Sequence, residues 1–332
     1  MDSFIPVAFA SDDNGFLSLT VAIYSLVQTA CPAARYRVLL LSNGLTEEHL
    51  VRVREEIERR GCTLEVVEMR ERLAHADFAD VIKRSYADLP VTAFARLFLP
   101  ELFPSIEKLV YLDTDVLVCE NLLPLFNVSL GENAVAAVYE ETRDGHVCHL
   151  ARMPEAMFGY FNSGVLVMNL SFFREHYSVQ FWLEQIATYV ELPDLDQGLL
   201  NRALFRHVVS LHPRWNWHDG MSRLAVSHLF VFRWRGWTER QAIEAAVRPA
   251  ILHFYGTKKP WFENWRYEGR RYERAMKACG FNITRRYYDG TRQTYQYRFL
   301  RGKQLIHGIA DGTVRTLLFL AWLVVGRKGN VC

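Results

Sequence analysis

Asp113 and Asp115 break into an apolar run, Leu109-Val110-Tyr111-Leu112-Asp113-Thr114-Asp115-Val116-Leu117-Val118. At i and i+2 of an extended chain, both side chains point to one face. An unpaired charge among apolar neighbours is costly, and a hard divalent cation relieves that cost. Two Asp oxygens can hold one Mg2+ or Mn2+ and leave positions open for phosphate oxygens. Two surface carboxylates at a strand end are the plain alternative. A second segment, Ile251-Leu252-His253-Phe254-Tyr255-Gly256-Thr257-Lys258-Lys259-Pro260-Trp261, reads as a strand ending at His253, then a Gly turn and a Lys. His253 could complete a metal shell, and an imidazole ligand tilts the choice toward Mn2+. Lys259 could meet a phosphate. Taken alone, such a histidine is more often a core or loop residue.

The elements that must position these groups alternate along the chain. Ile5–Ala10 predicts a short strand, ended by the turn residues Ser11-Asp12-Asp13-Asn14-Gly15. Phe16–Thr29 has helical length and spacing, and Tyr36–Leu41 reads as a buried strand. Thr46 can cap the next helix, with Glu47 and Glu48 in its first turn and Arg59-Arg60-Gly61 at its end. Leu64–Val67, Leu109–Leu112, Ala134–Tyr139, Gly164–Asn169, Val208–Leu211 and Ala250–Phe254 predict strands. Thr92–Leu102 (stopped by Pro104), Val179–Val190 and Asp196–Phe205 predict helices. Such alternation argues for an α/β chain with a parallel or mixed sheet covered on both faces, and these sheets bind ligands at strand carboxyl ends. Six tryptophans fall late (Trp215, Trp217, Trp234, Trp237, Trp261, Trp265). They would suit sugar stacking, but such clusters are more often core packing.

The chain has 332 residues, half of them apolar, which is enough to bury a large core. Its net charge of +2 is unevenly spread: the segment from Phe281 to Cys332 carries +7, leaving −5 on the rest. A basic tail on an acidic body implies an anionic partner for the tail, and nothing points to nucleic acid. The acidic start, Met1-Asp2-Ser3-Phe4, does not read as a secretory signal. The six cysteines show no paired spacing and read as reduced cytosolic thiols. His146-Val147-Cys148-His149 is a weak metal candidate, because adjacent ligands do not easily close a tetrahedral shell.

Six blocks stand in a telling order: Ala10-Ser11-Asp12-Asp13-Asn14, Phe94-Ala95-Arg96-Leu97, Tyr111-Leu112-Asp113-Thr114-Asp115, Phe161-Asn162-Ser163-Gly164-Val165, Asp196-Gln197-Gly198-Leu199-Leu200-Asn201, and His253 through Trp261. Over roughly Val7 to Trp261 the chain resembles the family 8 retaining glycosyltransferases, especially the bacterial lipopolysaccharide galactosyl- and glucosyltransferases. The resemblance implies a GT-A type, Rossmann-like nucleotide-sugar-binding domain over residues 1–280, with a mixed, largely parallel sheet. Residues 281–332 would then be a small helical, basic and aromatic appendage. It also implies roles. Ala10, Asp12 and Asn14 would meet uridine, and Arg96 would contact the donor. Asp113, Asp115 and His253 would hold Mn2+, with Mg2+ as the alternative. Asn162, Asp196 and Gln197 would line the donor sugar, and Gly256 and Lys259 would hold the diphosphate. Relatives often carry a second acid after the Gln; here it is Gly198, which loosens the inference about the donor. Taken singly, these residues have plainer readings: Asn14 as a turn residue, Arg96 as a solvated helix charge, Asn162-Ser163-Gly164 as a loop, and Asp196 as an N-cap.

The implied donor is UDP-galactose or UDP-glucose, and the acceptor a saccharide or glycolipid of a surface glycan. A metal with Lys259 would stabilise the departing diphosphate. Retention by double displacement needs a carboxylate beneath the sugar, whereas the resemblance puts the amide of Gln197 there. Front-face attack with Gln197 as an electrostatic prop is therefore favoured, and Asp196 as a covalent nucleophile is the minor reading. Two other classes compete. A haloacid-dehalogenase-like phosphatase would use Asp113 as nucleophile, but Val116-Leu117 stands where that motif carries a small residue and Thr. A silent glycan-binding protein would not need the whole metal-and-phosphate set.

The tail mixes Arg285, Arg286, Arg292, Arg298, Arg301 and Lys303 with Tyr287, Tyr288, Tyr295, Tyr297 and Phe299. The apolar run Thr316–Gly326, followed by Arg327 and Lys328, falls short of the ~20 residues that span a bilayer. An interfacial helix on the inner face of the cytoplasmic membrane is expected. The alternative is a helix packed on the catalytic domain or on a second subunit.

Overall fold

The computed structural model describes residues 4–70, 91–140, 159–188, 196–218, 237–255, 259–261 and 267–281. Among them, a seven-stranded sheet runs in the order β3-β2-β1-β4-β7-β6-β8. The strands are β1 Phe4–Asp12, β2 Arg35–Asn43, β3 Thr63–Glu68, β4 Lys108–Leu112, β6 Val135–Glu140, β7 Tyr160–Asn169 and β8 Val208–Ser210. Every pairing is parallel except those of β7, which runs against both β4 and β6. β5 (Val116–Val118) and β9 (Ile251–His253) form a separate antiparallel pair.

Alternation along the central strands builds two cores. Val7, Phe9, Val38, Leu40, Val110 and Leu112 face one side, where the Phe16–Val27 helix packs. Ala8, Leu39, Leu41, Leu109 and Tyr111 face the other, beneath Phe94–Leu99 and the Asp196–Leu204 helix. A strand covered on both faces reads as a continuous buried run, and β7 is buried at nine successive positions from Tyr160 to Met168. That run includes Asn162, Ser163 and Gly164, so these residues lie inside the strand and not in a loop before it. Their polar and small side chains hide the strand's true start from a hydrophobicity pattern.

Most predicted elements form within a residue or two of their expected bounds. Thr46 caps the Glu47–Glu58 helix by accepting from the His49 N–H. The segment after residue 90 differs. It winds as a 3-10 helix over Val91–Phe98 and becomes a short α-helix only at Leu99–Leu102. Residues 94–98 are all buried, Arg96 included, so this stretch presents no solvated face. Helices also form over Leu170–His176, Glu239–Val247 and Tyr267–Ala278. Trp215, Trp217 and Trp237 are buried, which favours packing over sugar stacking; Trp234 and Trp265 lie outside the described residues. Cys31, Cys62 and Cys279 are free thiols, and His146–His149 lies outside the described residues.

β7 is antiparallel to β4, so the start of β7 and the ends of β1 and β4 share one edge of the sheet. Leu112 pairs with Val165, and Asp113 N–H donates to Gly164 O at 2.8 Å. The chain then turns into β5, which β9 and the Phe16–Val27 helix hold in place. The Val118 N–H donates to Ser25 Oγ at 2.9 Å in a buried setting. Ser25→Ala would leave this buried donor without a partner, at an expected cost of about 1–3 kcal/mol. Denaturant unfolding checks this, and an unchanged midpoint would mean that β5 does not depend on the helix.

Candidate metal and donor site

Asp113, Asp115 and His253 come together with one ligand atom each within 4.8 Å of the others. The two carboxylates do not sit on an extended strand, as the apolar flanks imply. They occupy the turn between β4 and β5. The turn forms because β4 pairs with β7 while β5 pairs with β9, in a different sheet. His253 ends β9 opposite Val116. Strand pairing thus carries a residue 138 positions beyond Asp115 to the same point.

The His253 ring is buried and oriented from behind. Its Nδ1 lies 2.9 Å from Asn216 Oδ1. Its Nε2 lies 3.1 Å from Asp115 Oδ1 and 3.8 Å from Asp113 Oδ2, yet makes no hydrogen bond. An imidazole nitrogen and two carboxylate oxygens therefore converge on one point. That set fits a divalent cation, which would satisfy all three at once. Burial lowers the proton affinity of His253, but Asp115 and Asp113 raise it by more, so the spot attracts positive charge. Burial pushes the Asp115 carboxyl up, while His253 and Lys259 pull it further down and hold it well below the usual carboxylate range.

Gly164 makes room for this cluster. A Cβ there would lie 2.2 Å from His253 Cε1 and 2.7 Å from Asp113 Oδ2. Those atoms belong to side chains fixed by packing and pairing, so they cannot easily retreat.

Arg96, read alone as a solvated charge, is 3% exposed. Its Nη2 donates to Asp113 Oδ1 at 2.7 Å and its Nη1 to Ser163 O at 2.6 Å. Its Nε–H donates to Ala93 O at 3.3 Å, so Asp196 Oδ2, 3.1 Å from Nε, is an ion-pair partner without a hydrogen bond. The guanidinium also lies 4.1 Å from the Tyr111 ring centroid. Burial pushes the Asp196 carboxyl up to about 6 despite the opposing pull of Arg96. Asp196 is the first residue of its helix, not a cap before it. Gln197 Oε1 accepts from the Ser163 N–H at 2.9 Å, which fixes that side chain against β7.

Lys259 Nζ lies 2.5 Å from Asp115 Oδ2 and 3.1 Å from Phe254 O, so it stands at the cluster. Gly256 lies outside the described residues. Ala10 and Asp12 end β1 at the same sheet edge, and Asp12 Oδ1 accepts from the Gly15 N–H at 3.0 Å. Asn14 is exposed in the following turn. Asn162 is linked to the cluster through Asn216 and Gly164, since its Oδ1 accepts from Asn216 Nδ2 at 2.8 Å and from the Gly164 N–H at 2.9 Å. Asn216 and the space-making role of Gly164 were missed by sequence reasoning. Asn216 carries no motif, and its part depends on Trp217 bridging beside Leu252.

The family described as glycosyl transferase family 8 matches residues 6–265. General stress protein A of Bacillus subtilis (strain 168) is 25% identical over 284 residues, covering 81% of this chain and 91% of that protein. The solved structure of the galactosyltransferase LgtC with donor and acceptor sugar analogs superposes with a TM-score of 0.67 at 24% identity, covering 82% of this chain and 96% of that one. The glycosyltransferase GlyE of Streptococcus pneumoniae TIGR4 superposes with a TM-score of 0.60 at 23% identity, covering 84% of this chain and 62% of that one. The shared fold is of the GT-A type. The phosphatase alternative is thereby set aside.

Gly164→Ala tests the tight packing of the cluster. The added methyl group should displace His253 or Asp113, at about 1–3 kcal/mol for overpacking. Divalent-cation affinity should fall about tenfold or more, as when a ligand's support is disturbed. Calorimetric titration with Mn2+ on the folded variant reads it, and wild-type affinity would show that the ligands do not need this space.

Proposed function

This chain belongs to glycosyl transferase family 8, and on that premise we propose a UDP-galactose or UDP-glucose donor, Mn2+ at Asp113, Asp115 and His253, and a surface-glycan acceptor. The enzyme is a retaining glycosyltransferase that moves a sugar from a UDP-sugar to an acceptor. The observation that carries the metal reading is the convergence of Asp113, Asp115 and the unpartnered His253 nitrogen. Mn2+ is favoured over Mg2+ because one of the three ligands is an imidazole. When bound, the ion neutralises charge on the departing diphosphate as a Lewis acid.

The chain's own groups do the rest. The Lys259 ammonium has three donors, of which Asp115 and Phe254 O take two, leaving one for a phosphate oxygen. Uridine would lie along Ala10 and Asp12 at the end of β1 and Asn14 in the turn after it, and Gly256 and Lys259 would hold the diphosphate. The sugar is placed against Asn162, Asp196 and Gln197, with Arg96 held beneath by Asp113 and Asp196. Front-face attack is favoured over double displacement. Gln197 is an amide, and its Oε1 is held by the Ser163 N–H. The Asp196 carboxylate is buried against Arg96 and poorly placed to move as a nucleophile.

The domain reading is that residues 1–280 form the catalytic unit and residues 281–332 a basic, aromatic attachment segment. The segment lies outside the described residues apart from Phe281, and no described helix is long and apolar enough to cross a membrane. Phe281 packs 4.3 Å from the Arg52 guanidinium and edge-on to Phe16 at 5.8 Å. The segment thus starts beside the turn assigned to the nucleotide. Peripheral attachment to the inner face of the cytoplasmic membrane would bring the site to a lipid-linked acceptor.

Two measurements test these readings. With a panel of UDP-sugars, donor consumption should require Mn2+, and Asp115→Asn should lower it roughly 100-fold or more. Near-normal turnover by the folded variant would remove Asp115 from the metal site. In liposome sedimentation, the full-length protein should pellet with anionic vesicles at low salt and a truncation ending at Gly280 should not. If both stay in the supernatant, the segment packs on protein instead.

A further inference from the structure

The metal-ligand nitrogen of His253 is selected by a hydrogen-bond relay whose polarity is set by the backbone. The relay begins at the Gly164 N–H in β7, a group that can only donate. It donates to the Asn162 side chain at 2.9 Å, so the accepting atom must be the amide oxygen. The same oxygen meets Asn216 at 2.8 Å, so the facing atom of Asn216 must be a donor, its Nδ2. The other end of the Asn216 amide is therefore Oδ1, an acceptor, and it lies 2.9 Å from His253 Nδ1. That ring nitrogen must carry a proton. In the singly protonated ring, the lone pair is then left on Nε2, the atom that faces Asp115 and Asp113. Each link is enclosed: Asn162 is 2% exposed, Asn216 0% and His253 4%, so water is poorly placed to substitute.

We propose that Asn216 and Asn162 are positioning residues that lock His253 in the Nδ1–H tautomer and so present Nε2 to a divalent cation. The proposal rests on the metal reading of Asp113, Asp115 and His253 for its consequence, but the tautomer itself does not depend on it. Free histidine in water prefers the opposite tautomer, with the proton on Nε2. Without the relay, that proton would have to be lost or moved before the ring could ligate a metal between two carboxylates. An outer group that accepts from a ligand's second nitrogen fixes both ring orientation and tautomer, and losing it typically costs 10–100-fold in metal affinity. The relay also gives Asn162 a task beyond the sugar contact implied by its family block, since its Oδ1 is already taken by two donors.

The test uses full-length protein labelled with 15N-histidine, and the His253 resonances are identified by their loss in His253→Gln. At a pH where the ring carries one proton, the nitrogen shifts should report Nδ1–H and a bare Nε2. Asn216→Ala should move the signal toward the Nε2–H form and weaken Mn2+ binding by calorimetry about 10–100-fold. Asn162→Asp keeps an acceptor for both the Gly164 and the Asn216 donors and should preserve the Nδ1–H signal. This second variant keeps the test open if Asn216→Ala fails to fold. An Nε2–H signal in wild-type protein overturns the proposal, as does an unchanged tautomer with wild-type Mn2+ affinity in folded Asn216→Ala. If the wild type shows Nδ1–H but binds no Mn2+, the relay stands and the metal reading falls.

Discussion

Three carboxylates crowd one end of this sheet, and the cost of holding them there shapes everything around them. Asp113, Asp115 and Asp196 are largely removed from water, and like charges in such a setting repel strongly. Arg96 answers part of the problem by lying buried between Asp113 and Asp196. Burial lowers its proton affinity, but the two acids raise it by more, so the guanidinium stays charged. Lys259 answers another part at Asp115. What remains is an excess of negative charge focused on the point shared by Asp113, Asp115 and His253. A cation is the natural complement.

The fold serves this point by bringing chain ends to it. β4 delivers Asp113, and the turn into β5 delivers Asp115. β9 pairs with β5 and delivers His253. Among the described strands of the seven-stranded sheet, β7 alone runs against its neighbours, so its beginning, with Asn162, Ser163 and Gly164, faces their ends. A parallel strand at that position would present its carboxyl end instead, and the backbone groups of Ser163 and Gly164 would be elsewhere. Those groups are heavily used. Ser163 O accepts from Arg96, the Ser163 N–H donates to Gln197, and the Gly164 N–H starts the relay to His253. One reversed strand thus ties the metal side of the site to the sugar side.

The sequence made some of this legible and hid the rest for physical reasons. Asp113 and Asp115 stood out because charge inside an apolar run demands an explanation, and His253 stood out because it ends such a run. The strands and the sheet class followed from hydrophobic runs and turn residues. Arg96 was misjudged when read alone, because a cation on a short helical segment is normally solvated. Only its two acidic partners, 17 and 100 residues further on, make its burial tolerable. Asn216 was invisible for a similar reason. Its role depends on a bridge between Trp217 and Leu252 and on the shape of a neighbouring side chain, and neither is a local property. The extended-chain argument for Asp113 and Asp115 reached the right pair through the wrong geometry, since the carboxylates converge across a turn.

Asp115 shows how tightly the two halves of the chemistry are coupled. Its Oδ1 lies 3.1 Å from His253 Nε2, on the side where a metal ion fits. Its Oδ2 lies 2.5 Å from Lys259 Nζ. One carboxylate therefore engages both the His253 ring and the Lys259 ammonium. Its strongly lowered proton affinity, won against the effect of burial, reflects both attachments. Asp113 differs, because its Oδ1 is spent on Arg96 and only Oδ2 faces His253. The two acids of the motif are consequently not equivalent. Asp113 is paired with Arg96, and Asp115 is paired with Lys259. Neutralising either one disturbs a different partner, which is why a single aspartate at this turn could not serve both.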